Sequence, residues 1–164
     1  MRATHALLLV FSASLVWAAD RHILLLQTQP PEGWEVLSPP PSSHPVSFYI
    51  ALPQRNIDQL NTLFEHISDP LHIQYGQYLN REQILSIVAP PKQTAERVLA
   101  ALPADISCVD MGDALKCRGS VASVEQAFHT ELRFVRHRAS GLSLIRQIGD
   151  FSVPSSIAAD VQVR

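Results

Sequence analysis

Val46-Ser47-Phe48-Tyr49-Ile50-Ala51-Leu52-Pro53 decides how this chain of 164 residues is read. β-Branched and aromatic residues fill the run and Pro53 closes it, which predicts a strand. The period then changes. Ile57, Leu60, Leu63, Phe64 and Ile67 recur at helical spacing behind Asn56, a residue type suited to an N-cap. Ser68-Asp69-Pro70 stops that helix.

Working outward, Asn80 opens a second helical stretch carrying Ile84, Leu85, Ile87 and Val88, and Pro90-Pro91 ends it. Pro91 then suits the first turn of a third helix over 92–102, because its missing N–H has no intrahelical partner there. Strands are predicted at 106–109 and 114–118. Ser120 caps a short helix whose Val121, Val124, Ala127 and Phe128 share one face. Two further strands are predicted at 132–135 and 142–145. The order strand, helices, strand, strand, helix, strand gives an α+β fold, the split β-α-β sandwich of the ferredoxin-like kind. In that architecture helices cover one face of an antiparallel sheet and leave the other free to meet a partner.

The first residues are of another kind. Met1-Arg2-Ala3-Thr4-His5 carries one firm positive charge, residues 6–17 are almost wholly apolar, and Val16-Trp17-Ala18 places small residues before a cut. This is the pattern of a secretory signal peptide over 1–19, cleaved after Ala18 or Ala19. As a membrane anchor the apolar run falls short of the roughly 20 residues that span a bilayer. Residues 20–43 form a Pro-rich extended arm in which Pro30-Pro31 and Pro39-Pro40-Pro41 bracket Trp34-Glu35-Val36-Leu37, since proline opposes both helix and central strand. A formal charge of −2 lacks the basic excess of a nucleic-acid binder. No membrane contact is expected once the signal is removed.

Cys108 and Cys117 are the only cysteines. In a chain bound for an oxidising compartment a disulfide is the default, and the Asp- and Gly-containing stretch between them suits a hairpin that sets them face to face. A zinc site would need further Cys or His at ligand spacing. Nor is there a nucleophile elbow: Gly141-Leu142-Ser143-Leu144-Ile145 lacks the final glycine, and Ser143 sits in a predicted strand.

Phe48 to Leu52, Arg55-Asn56-Ile57-Asp58-Gln59-Leu60, Ser68-Asp69-Pro70 and Gln74-Tyr75-Gly76-Gln77-Tyr78-Leu79 together resemble the activation prosegment of the sedolisin (serine-carboxyl, S53) peptidases. The similarity is greatest to the tripeptidyl-peptidase I group, which has a cysteine pair in the corresponding place. The resemblance covers residues 34–164. It implies a prosegment domain over 44–149 and an exit segment over 150–164, in which Asp150-Phe151-Ser152-Val153-Pro154 leads toward a catalytic domain. The family's Ser, Glu and Asp catalytic residues and its calcium site belong to that later domain and match nothing here. No catalytic residue, metal or cofactor is therefore expected of this chain.

What the resemblance implies is an intramolecular chaperone and inhibitor of a secreted or lysosomal tripeptidyl peptidase, released in acid. Its partner is a sedolisin catalytic domain, in cis, or in trans if the chain is a free-standing inhibitor. The expected location is the secretory pathway, ending in the lysosome or outside the cell. Candidate docking residues are Arg133, Arg136 and Arg138, the dense basic run, with Phe151 and Pro154 of the exit segment; complementary charge would steer and orient association. Candidate pH-switch residues are His66, His72, His129 and His137, since imidazole changes charge near neutrality, with Asp69, Glu82 and Glu131 as possible carboxylate contributors. Gly76 permits a positive φ, and Tyr75 and Tyr78 can bury their rings with the hydroxyls bonded, so the loop is expected to seat the second helix on the first, direct contact with the peptidase being the alternative.

Overall fold

A computed structural model describes residues 20–25, 30 and 32–162; the predicted signal peptide and its cleavage positions Ala18 and Ala19 lie outside them. The fold is mixed α and β with antiparallel pairing throughout. Strand β3 (Pro45–Ala51) pairs with β5 (Ala114–Ser120), and β5 pairs with β4 (Ser107–Asp110), giving the spatial order β3-β5-β4. Between β3 and β4 run the helices α1 (Ile57–Ser68), α2 (Arg81–Val88) and α3 (Lys92–Ala101). Helix α4 (Val121–Phe128) follows β5 directly.

This is the first three-quarters of the split β-α-β order. The fourth strand, β6 (Glu131–His137), takes other partners: β2 (Trp34–Val36) on one edge and β7 (Ser143–Ile148) on the other. A third, two-stranded ribbon joins β1 (Arg21–Leu25) to β8 (Phe151–Pro154), and a 3-10 helix (Ser155–Asp160) follows. An open cleft of about 990 Å³ lies between β3 and β7, walled by Phe48, Phe128, Leu132, Phe134 and Ile145.

Strand alternation places the core. Phe48, Ile50, Leu115 and Cys117 point to one face of the β3-β5-β4 sheet, where Ala95 and Val98 of α3 and Val121 and Val124 of α4 cover them. Leu115 and Val98 are fully buried. The opposite face carries Ser47, Tyr49, Lys116, Arg118, Ser107 and Val109, and stays open. Helices therefore cover one face of this sheet, as the sequence order implied.

The described residues of the Pro-rich arm are built into the fold and do not lie ahead of it. Trp34 to Val36 supply a three-residue edge ladder to β6, and the prolines flank these residues without interrupting the hydrogen bonds. Residues 150–162 likewise fold back. β8 pairs with β1, and Gln162 donates its backbone N–H to Ala51 O at 2.9 Å.

Local capping departs from expectation in two places, Asn56 and Pro91. Asn56 sits at the start of α1 with φ +53° and its side chain caps nothing; its Nδ2 instead donates to Ile87 O, 3.0 Å away, fastening the head of α1 to the tail of α2. Asn tolerates this left-handed conformation better than most residues. Asn80 makes a full capping box with Gln83. Pro91 occupies the N-cap of α3, one residue before the first turn. Ser120 caps α4 as predicted, accepting the Ser123 N–H at 3.2 Å, and Ser123 in turn donates its hydroxyl to Asp105.

Candidate functional site

Cys108 and Cys117 are directly opposed across β4 and β5, with 4.1 Å between their Cα atoms, and are bonded. That spacing suits a non-hydrogen-bonded antiparallel pair, whose side chains approach closest. The bridge lies on the helix-covered face beside Phe48 and ties the outer strand β4 to the central β5.

The open face of the same sheet presents a row across three strands. Tyr49, Lys116 and Val109 are in register, Tyr49 is 64% and Val109 62% exposed, and the Lys116 ammonium lies 6.0 Å from the Tyr49 ring centre. Ser47, Arg118 and Ser107 form the next row. The result is a flat, mildly cationic surface with two apolar contacts. Sequence reasoning identified the open face but not its residues; strand alternation from the buried Ile50 would have named them.

The basic run does not form one surface. Arg133 and Arg136 are three residues apart on a strand, so they point to opposite faces of β6. Arg133 pairs with Glu131 at 2.8 Å and Arg136 with Glu35 of β2 at 3.0 Å, while Arg138 lies in the turn beyond. The cation that Arg133 does face is Arg146, its cross-strand partner on β7, which sits 5.9 Å from the Trp34 ring. Phe151 and Pro154 are half-buried in β8, opposite Leu25 and Arg21.

Arg21 is the clamp that holds this ribbon. Its guanidinium donates to Ser152 Oγ at 2.9 Å, to Ser152 O at 2.6 Å and to Ala127 O of α4 at 2.7 Å. Partial burial pulls it below the ordinary arginine value. Beyond β8, Asp160 receives Arg97 of α3; that hydrogen bond holds its carboxyl below the usual range against the upward push of burial. Neither contact had a sequence signal, since each joins residues more than 60 positions apart.

The four candidate switch histidines fall in three places. His66 and His72 come together, their rings stacked at 4.1 Å and 12°. His129 is the exposed, left-handed C-cap of α4 at φ +48°. His137 packs against Trp34 at 5.2 Å and shares a 2.9 Å hydrogen bond with Ser140. Among the described residues no group of three or more His, Cys, Asp or Glu is placed to hold a metal ion, and no helix is long and apolar enough to cross a membrane.

The Gln74–Leu79 loop corrects one expectation. Gly76 does adopt φ +76°, but Tyr75 is 52% and Tyr78 73% exposed, so neither ring is buried for packing. The loop is held by its backbone, through Gly76 N–H to Ile67 O at 2.9 Å and Tyr75 N–H to His72 O at 2.9 Å. A glycine turn fastened to the helix end leaves the tyrosine side chains pointing outward.

Comparison with known proteins agrees with this geometry. The family described as pro-kumamolisin, activation domain, matches residues 32–163. Tripeptidyl-peptidase SED2 of Arthroderma otae is 28% identical over 153 residues, covering 90% of this chain and 25% of that protein. Tripeptidyl-peptidase sed1 of Aspergillus fumigatus is 35% identical over 114 residues, 66% of this chain and 18% of its own length. Physarolisin of Physarum polycephalum is 29% identical over 119 residues, 71% and 21% respectively. The chain thus spans about a quarter of the length of the curated relatives it matches. With a match running from the edge strand β2 to the bridge that closes on Ala51, the chain belongs to the pro-kumamolisin activation domain family.

Proposed function

We propose that this chain acts as the activation prosegment of a sedolisin-type tripeptidyl peptidase, assisting its folding and keeping it inactive until acid releases it. The observation that carries this reading is the family match, which falls on an activation domain in proteins about four times as long. The open row of Tyr49, Lys116 and Val109 supplies a surface for the peptidase: flat, rigid in a paired sheet, and stiffened by the Cys108–Cys117 bridge behind it. The apolar Tyr49 and Val109, on the strands either side of Lys116, would be desolvated on docking, and Lys116 and Arg118 favour an acidic partner face.

The peptidase stands in cis when a catalytic domain shares the chain, or in trans when the chain acts alone. Chemistry is assigned to the partner, and the prosegment needs no cofactor. Entry to the secretory pathway, with a lysosomal or extracellular destination, follows from the leader-like residues 1–19. The test is to mix the purified chain with mature Aspergillus fumigatus tripeptidyl-peptidase sed1 at pH 7 and at pH 4, measuring binding by calorimetry and, at the acid pH, residual activity. Binding near neutrality that weakens in acid is expected. No association at either pH would leave only a secreted binding module without a peptidase partner.

A further inference from the structure

The corner formed by the C-terminal half of α1 and the loop that follows it displays apolar side chains that the described residues leave uncovered. Leu71 is 94% exposed, Ile73 90%, Tyr78 73%, Phe64 64% and Tyr75 52%. Phe64 and Tyr78 flank a depression of about 410 Å³ floored by Leu60, Leu63, Ile67 and Ile84. Isolated exposed apolar residues are ordinary, but a concentration of this kind marks an interaction surface. These five side chains offer on the order of 700–800 Å², close to what one partner contributes to a standard interface.

The loop is also ordered. Leu71 N–H reaches Asp69 Oδ1 at 2.9 Å, His72 N–H reaches Asp69 O at 3.0 Å and Gly76 N–H reaches Ile67 O at 2.9 Å. His72 stacks on His66 of α1. Fixing this backbone costs conformational entropy, yet among the described residues Leu71 and Ile73 find almost no cover. A loop preorganised in this way lowers the ordering cost of binding.

We propose that this corner is a second docking surface for the peptidase body, separate from the open sheet face, with the depression between Phe64 and Tyr78 receiving an apolar side chain of the partner. The inference rests on the prosegment reading above. The occupant follows from the prosegment reading and from length: tripeptidyl-peptidase SED2 of Arthroderma otae carries about three-quarters of its residues outside the segment that this chain matches, enough for a peptidase body against which the corner can dock.

The test is a double substitution, Leu71→Ser with Ile73→Ser, compared with the wild-type chain against mature Aspergillus fumigatus tripeptidyl-peptidase sed1. Binding is read by calorimetry at neutral pH, folding by thermal unfolding, and association state by sedimentation velocity. The expected result is a loss of affinity of about tenfold or more, with an unchanged Tm because both side chains already face water, and a monomer for both proteins. Wild-type affinity retained by the variant overturns the surface alone. Failure of the wild-type chain to bind overturns the prosegment reading and this surface with it. A wild-type dimer that the substitutions dissociate assigns the corner to a second copy of the chain, and also overturns the proposal.

Discussion

Arg97 of α3 grips Asp160 with two hydrogen bonds, 2.7 Å from Nε and 2.5 Å from Nη2, fastening the residues after β8 to a helix 63 positions earlier. Asp160 is buried while Arg97 is about half exposed, so solvent screens part of this attraction. The Arg97 hydrogen bond is the largest influence on the Asp160 carboxyl, and it lowers the pKa. A carboxyl held lower in the folded than in the unfolded state stabilises fully above its unfolded value of about 4 and loses that contribution as pH falls through the folded value. Asp160→Asn should lower Tm by about 2–5 °C at pH 7. The difference from wild type should stay flat from pH 7 to 5 and shrink only below about pH 4, followed by thermal unfolding. A difference already closing at pH 6 would show that another group controls this strap. Acid release of a partner near pH 5 would therefore not work through Asp160.

The disulfide closes a short hairpin on the buried side of the sheet. Replacing Cys108 and Cys117 together with alanine should cost about 2 to 3 kcal/mol in the chain-entropy model, and reductant should lower the Tm of the wild-type protein alone. Denaturant unfolding with and without reductant checks both. Equal stability in the two states would mean that strand pairing, without the covalent link, holds β4 in place.

The two faces of β3-β5-β4 should respond in opposite ways. Leu115→Ala opens a cavity among Ile50, Val98 and Val124 and should destabilise by roughly 2–5 kcal/mol. Tyr49→Ser paired with Lys116→Glu alters only the open face, so Tm should move little while affinity for the peptidase falls by at least about tenfold. Calorimetric titration beside thermal unfolding separates the effects. Unimpaired binding by the outer-face variant would move docking off this sheet.

His66 and His72 tie the loop to the end of α1, through their stacked rings and through the Gln74 N–H donated to His72 Nδ1 at 3.2 Å. His72→Ala removes both contacts, so amide exchange over residues 71–78 should rise several-fold while global unfolding moves little. Unchanged protection in the variant would show that the backbone hydrogen bonds alone hold the loop.

Much of the architecture could be read from local pattern. The alternation in Val46 to Leu52, the helical spacing of Ile57 to Ile67 and the cap at Ser120 each report a preference that acts over a few residues, and the structure follows them. Cys108 and Cys117 were legible because a hairpin makes nearby residues spatial neighbours. Patterns misled where the local rule has two outcomes. Asn56 suits both an N-cap and a left-handed turn, and the Ile87 carbonyl selected the second. Tyr75 and Tyr78 carry apolar rings that suggest burial, but the Gly76 turn directs them outward.

Residue pattern was enough for the four helices, for β3 to β7, for the antiparallel α+β class, for the cysteine bridge and for the family, because these depend on side-chain period and on ordered short motifs; the short strands β1, β2 and β8 exist only through their partners. Tertiary structure alone decided which strand β6 joins, that Arg133 and Arg136 diverge, that Arg97 meets Asp160, and that His66 stacks on His72. Those outcomes depend on contacts between residues far apart in the chain or on directions set by pleat and turn, and no window of neighbouring residues carries that information.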